Sequence, residues 1–155
     1  MPVIALLVFT LVAQAPLPNF SGTWNMIAAR SGSPLQTPPV SAMTFAIDQQ
    51  ADHISIESTA AEGKTVTMIY PIVPAPKPPA DPPGAGLARA YWEGKRLIIE
   101  RGGTISGQTV SMRQSLTMDP ASGELIVERL VIVQHGYTLR GAQNYSTVRD
   151  VFARQ

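Results

Sequence analysis

The sequence contains no cysteine, which excludes disulfide bonds, thiolate metal sites and cysteine nucleophiles among its 155 residues. Charged residues are few, at 15%, and 12 basic against 11 acidic side chains give a net charge of +1. Proteins that bind nucleic acids or anionic membranes depend on clustered Lys and Arg. The sequence has no such cluster, so we expect no nucleic-acid partner.

Long hydrophobic runs are also missing. The most extended one, from Val3 to Ala13, has 11 residues with one polar interruption. A membrane-spanning helix needs roughly 20 apolar residues, so we expect no integral membrane span. The run and the small residues of Ala13-Gln14-Ala15 are typical of an export signal. We predict a signal peptide over residues 1–13, with a cut after Ala15 as the alternative.

Residues 14–155 are then predicted to be one exported domain, periplasmic or extracellular. No basic residue precedes Arg30, whereas a signal peptide has a basic first part. An extra strand or a disordered start of a cytosolic protein is therefore the alternative for the apolar run.

Catalytic and metal-binding motifs are absent from the sequence. There is no Gly-x-Ser-x-Gly motif for a serine nucleophile. His53 and His135 lie far apart and belong to no metal-binding motif, and beside Gly136 a loop position is favoured for His135 over haem ligation. Most acidic residues fall on outward phases or in turns, with Glu128 and Asp150 as the exceptions. We predict no catalytic residue, no metal and no cofactor, and an enzyme is the least supported function.

The chain does contain a regular alternation of apolar and polar residues. From Phe20 onward apolar residues recur with a period of two, which is typical of strands with one buried face. Short connections such as Glu62-Gly63 and Glu93-Gly94 favour antiparallel neighbours. A sheet of many antiparallel strands removes its exposed edges by closing on itself. We therefore predict an all-β, antiparallel up-and-down barrel of 8 to 10 strands with at most one short helical turn.

Proline is concentrated in one segment, residues 71–83, which holds seven of the 14 prolines. Proline has no backbone N–H to donate in a sheet, so this segment is predicted to be an extended loop. The main interpretation is a stiff connector at one end of the barrel. A recognition ligand for an aromatic groove is the alternative.

The tripeptide Gly22-Thr23-Trp24 resembles the Gly-x-Trp signature that opens lipocalin-like (calycin) barrels. The longer opening, Asn-Phe-Ser-Gly-Thr-Trp, is similar to that of small exported bacterial β-barrel proteins of unassigned function, and the similarity extends over most of residues 19–154. The resemblance implies that Trp24 closes one end of the barrel and that an arginine near the end of the last strand packs across its ring. The candidates are Arg149 and Arg154, and we favour Arg149, in phase with Tyr145.

Polar residues on the inward phase mark the candidate site. Gln114 and Arg129 each lie between two apolar residues that are predicted to face the barrel interior from the same strand. A polar group that faces a barrel interior costs free energy unless it is paired. Together with Tyr70 and Tyr145, these residues form either an internal hydrogen-bonded network or the polar end of a ligand cavity.

Three functions follow from these observations. We predict a barrel that binds a small, partly apolar ligand inside, with the four polar residues at its polar end. The first alternative is a ligand-free, filled barrel that acts as an interaction or structural module of the cell envelope, which the bulky interior methionines favour. The second alternative is an uncharacterised barrel enzyme. A small barrel holds either packed side chains or one small ligand. A cavity in contact with Arg129 would therefore distinguish the ligand-binding barrel from the filled barrel.

Overall fold

A computed structural model describes residues 16–32, 41–77, 83–134 and 145–155. The predicted signal peptide, His135 and residues 78–82 of the proline-rich segment lie outside the described residues. A single turn of 3-10 helix, Ala28–Arg30, is the only helix in the described ranges, and no helix there is long and apolar enough to cross a membrane. The strands are β1 (Gly22–Met26), β2 (Met43–Gln49), β3 (His53–Ala60), β4 (Thr65–Pro71), β5 (Ala88–Glu93), β6 (Arg96–Ile105), β7 (Gln108–Met118), β8 (Leu125–Gln134) and β9 (Tyr145–Arg154).

These nine strands form one antiparallel sheet in the order β4-β3-β2-β1-β9-β8-β7-β6-β5. Because β1 pairs with β9, the last strand returns to the first and the sheet curls into a barrel. Between β4 and β5 the contact is reduced to one parallel bridge, from Ile72 to Ala90, where the Val73 N–H donates to the Ala90 carbonyl at 2.8 Å. The predicted all-β, up-and-down barrel is confirmed, and it is nearly closed.

The densest part of the core fills one end of the barrel. Phe20 stacks on Trp92 with ring centroids 6.0 Å apart, and Phe45 stacks on Phe152 at 4.5 Å. Aliphatic side chains from β3 and from β6 to β8 pack around these rings: Ile54, Leu97, Ile99, Leu116, Leu125 and Val127. A slip of one residue in any strand would turn its apolar set to solvent, so burial fixes the register.

Trp24 lies fully buried at this filled end, and the arginine over its ring is Arg154. The guanidinium carbon of Arg154 is 4.4 Å from the ring centroid, and Nη1 donates to the Ser21 carbonyl at 3.0 Å. The indole Nε1 donates to the Phe20 carbonyl at 2.8 Å. A Cβ on Gly22 would lie 2.9 Å from Arg154 Nη1, so the glycine leaves room for the guanidinium.

The preference for Arg149 over Arg154 is therefore wrong. In the ladder between β1 and β9, Trp24 is opposite Arg154. Arg149 is five residues away along β9, an odd number, so its side chain leaves the opposite face of the strand. Its backbone pairs with Gly32 instead.

The end of the proline-rich segment at Pro83, and the residues that follow it up to Leu87, contact the outside of β6 and β7. The Ser111 hydroxyl on β7 donates to the Pro83 carbonyl at 2.7 Å. On β6, the N–H of Gly102 donates to the Leu87 carbonyl at 2.8 Å. The prediction that the segment joins no sheet ladder is wrong at its first residue, because Pro71 ends β4 opposite His53, and Ile72 forms the bridge to Ala90. The rest of its described part, residues 73–77 and 83, lies outside the strands and connects β4 to β5.

Candidate functional site

The half of the barrel opposite Trp24 contains a cavity of about 290 Å³. Six strands contribute to it, with these side chains: Met43, Phe45, Ile56, Ser58, Val66, Met68, Tyr70, Arg101, Met112, Gln114 and Arg129. Phe45, Ile56 and Tyr70 are buried and form its floor. Val66 and Arg101 are exposed, so the cavity opens to solvent on their side.

Cross-strand pairing brings the polar residues of the cavity together. Gln114 on β7 lies directly opposite Arg129 on β8. Met112, two residues before Gln114, lies opposite Arg101 on β6. Side chains two residues apart on a strand share a face, so Arg101 and Arg129 flank the same stretch of β7 from its two sides.

Tyr70 lies within range of both guanidinium groups. Its side chain is 3% exposed, and burial raises the pKa of its phenol. The positive charges of Arg101 and Arg129 both act to lower that pKa. The structure thus brings together three of the predicted site residues, Tyr70, Gln114 and Arg129, and adds Arg101.

Sequence reasoning missed Arg101, although the signal was present. Leu97 and Ile99 alternate on the inward phase, and one more step of two residues reaches Arg101. Two glycines follow it, and glycine interrupts the apolar alternation because it has no side chain to pack. The structure continues β6 to Ile105, which places Arg101 on the inward phase at the open side of the cavity.

The grouping of Tyr145 with the cavity is wrong. Tyr145 is 57% exposed and pairs with Ile132 near the start of β9. Inward positions on this strand include Asp150 and Phe152, which are both buried. Tyr145 is on the opposite, outward phase, because an odd number of residues separates it from them.

Asp150 is a buried acid beside Arg129, one of the polar residues of the cavity. Its Oδ2 lies 3.6 Å from Arg129 Nη2, and its side chain is 2% exposed. Burial raises the pKa of this carboxyl, while the charge of Arg129 and the backbone of Gly32 oppose that rise. Within the described ranges, Asp150 Oδ1 is buried and accepts no hydrogen bond.

A larger depression, of about 550 Å³, lies on the outer face of β6 to β9. Four arginines line it, at positions 96, 113, 129 and 149. Arg96 and Arg113 both bind Glu93, at 3.2 and 2.7 Å, and Arg129 also lines the interior cavity. In addition, Glu128 lies in the depression itself. The interior cavity, with apolar walls and converging polar groups, is therefore the better candidate site. Among the residues that the structure describes, no group of three or more His, Asp or Glu is placed to hold a metal ion.

No protein-family model matches the chain, and no curated protein matches it. Among solved structures, a point mutant of the fluorescent protein UnaG superposes with a TM-score of 0.51 at 15% identity, over 88% of this chain and 96% of that one. The zebrafish ileal bile acid-binding protein in complex with cholic acid gives 0.47 at 12% identity, over 88% of this chain and 98% of that one. At such identities the likeness to UnaG shows the fold alone, which is a β-barrel of antiparallel strands.

Proposed function

We propose that the protein binds a small, partly apolar ligand inside the barrel, with the polar end of the ligand at Arg101, Gln114 and Arg129. The hollow half of the barrel carries this proposal. A volume of about 290 Å³ is close to the lower end of ligand pockets, which have apolar walls and a few placed polar groups. A filled, ligand-free barrel is less well supported, because side chains fill only the end near Trp24.

The charges around the cavity favour an acidic ligand. Two guanidinium groups line the cavity, and no carboxylate does among the described residues. Asp150, behind Arg129, offsets part of the positive charge. Guanidinium groups bind carboxylates, sulfonates and phosphates through short, charge-assisted hydrogen bonds. An anionic head between Arg101 and Arg129 would satisfy both cations at once.

The remaining walls suit an apolar tail. Met43, Met68 and Met112 line the cavity on three strands. Methionine is unbranched and polarizable, so it adapts to tails of irregular shape. The floor formed by Phe45 and Ile56 limits the depth to which a tail can enter. An amphipathic acid with one unbranched tail matches this combination better than a fully polar molecule.

We also propose that the protein binds its ligand after export. The apolar run of residues 3–13 and the small residues of Ala13-Gln14-Ala15 support this proposal.

Native mass spectrometry of the protein recovered from its producing cell tests both parts of the proposal. We expect the chain mass of residues 14–155, together with a small-molecule adduct that is released on denaturation. An uncut chain argues against export. A bare barrel that also gains no thermal stability from a panel of amphipathic acids argues against ligand binding.

A further inference from the structure

Asp150 is a buried acid for which the proposed ligand site has no direct use. Its side chain points inward from β9 and is 2% exposed, while its Oδ1 accepts no hydrogen bond within the described part of the chain. A buried carboxylate is costly unless it is paired and hydrogen-bonded. The Arg129 Nη2 atom, 3.6 Å away, supplies opposite charge but no short hydrogen bond. The negative charge of Asp150 is thus only partly compensated.

Arg129 faces both this carboxylate and the cavity. It lines the cavity opposite Gln114, and its side chain is 24% exposed. A guanidinium has five N–H donors in a planar fork, so it can stay near Asp150 while donating to a ligand. The charges, however, compete. An ionised Asp150 lowers the attraction that Arg129 exerts on any other anion in the cavity.

On the basis of the proposed function, we propose that Asp150 controls the affinity of the cavity for anions. Ionised Asp150 weakens the binding of an acidic ligand, and protonated Asp150 strengthens it. Ligand uptake is therefore coupled to proton uptake. By thermodynamic reciprocity, a bound anion also favours the protonated form of Asp150. Binding would then be strongest in mildly acidic surroundings. A rise in pH would promote release.

The neighbours of Asp150 determine the direction of this coupling. Arg129 faces it from β8, and the backbone of Gly32 faces it from the segment after the helical turn. Arg30, in that turn, binds Glu124 at 2.7 Å instead. Across the cavity the other titratable groups are Tyr70 and Arg101. Since burial raises the pKa of Asp150, its protonation begins at a higher pH than that of an exposed aspartate.

Calorimetric titration of the full chain with dodecyl sulfonate tests the coupling, because a sulfonate keeps its charge over the whole pH range used. Between about pH 7.5 and about pH 4.5, we expect the affinity of the wild type to rise at least about fivefold. Asp150→Asn should bind tightly at both pH values, with less than about a twofold change. Dodecanol, a neutral probe of the same length, should show no pH dependence in either protein.

Asp48→Asn is the matched control, since Asp48 is an exposed aspartate on the outward phase of β2. It should behave like the wild type. Sulfonate binding with the same pH dependence in the wild type and in Asp150→Asn would overturn the role of Asp150 and leave the proposed function intact. Failure of both probes to bind the wild type at either pH would overturn both proposals.

A second measurement keeps the inference testable if Asp150→Asn does not fold. The carboxyl carbon of Asp150 in the wild type can be titrated by NMR with and without dodecyl sulfonate. We expect the sulfonate to raise the pH at which Asp150 titrates. An unchanged titration, in protein shown to bind the sulfonate, would overturn the coupling.

Discussion

At the scale of single residues, one packing unit at the filled end of the barrel consists of Gly22, Trp24 and Arg154. The backbone of Gly22 has φ of +132°, a conformation that residues with a Cβ rarely adopt. Its missing side chain leaves space for the guanidinium of Arg154, which lies over the Trp24 ring. The Gly-x-Trp pattern thus predicted the presence of an arginine. It did not predict which arginine, because the register of β9 against β1 is a non-local property.

Replacing Arg154 by lysine should separate its role from that of Arg149. Lysine keeps the charge but loses the planar fork that both covers the ring and donates to the Ser21 carbonyl. We expect Arg154→Lys to lower the free energy of unfolding by about 1 kcal/mol. Arg149→Lys, on the outer face, should change it by less than about 0.5 kcal/mol. Urea denaturation measures both values, and equal losses in the two variants would contradict the packing of Arg154 on Trp24.

At the scale of elements, the period-two pattern predicted the strands well but not their ends. The alternation through Leu97 and Ile99 is interrupted by the glycines at 102 and 103, yet β6 continues to Ile105. Glycine weakens a strand signal because it has no side chain to pack. Here Gly102 is required for another reason: the end of the proline-rich segment packs onto the outside of β6. Arg101 was missed together with this continuation.

Two neighbouring glycines provide a matched test of that packing. A Cβ on Gly102 would collide with the backbone carbonyl of Gly84, whereas a Cβ on Gly103 would meet nothing within 4 Å. Neither glycine has a positive φ. We expect Gly102→Ala to cost about 2 kcal/mol or more in unfolding free energy. Gly103→Ala should be neutral or stabilising by up to about 1 kcal/mol, since alanine restricts the unfolded chain.

Thermal and urea denaturation of the two alanine variants give the comparison directly. If Gly102→Ala were tolerated as well as Gly103→Ala, the segment from Pro83 to Leu87 would not be packed against β6.

At the scale of the whole molecule, the barrel followed from the sequence but the extent of its filling did not. Nine alternating runs with short turns left few arrangements other than a closed meander. Whether such a barrel is hollow depends on side-chain volumes at equal heights on different strands. Aromatic rings meet at the end near Trp24, and slimmer methionines meet at the other. Which side chains meet depends on the register between neighbouring strands, and the sequence alone does not give that register.

The cavity is also where the general rule of an apolar core fails. Arg101, Gln114 and Arg129 stand on the inward phase, and Asp150 lies behind them without full compensation. Departures of this kind from the pattern of an apolar core are expected at functional or strained sites. Binding of the proposed acidic ligand would relieve the cost, because an anion supplies the hydrogen-bond acceptors that the guanidinium groups lack.

The most direct test of the proposed ligand site is the affinity for dodecyl sulfonate of a variant that carries both Arg101→Gln and Arg129→Gln. Arg96→Gln is the control, because Arg96 lies on the outward phase of the same strand as Arg101. We predict that the double variant binds the sulfonate at least about tenfold more weakly, a loss of about 1.4 kcal/mol, and binds dodecanol unchanged. Equal sulfonate affinity in the double variant and the wild type, or a loss confined to Arg96→Gln, would contradict an anion site inside the barrel.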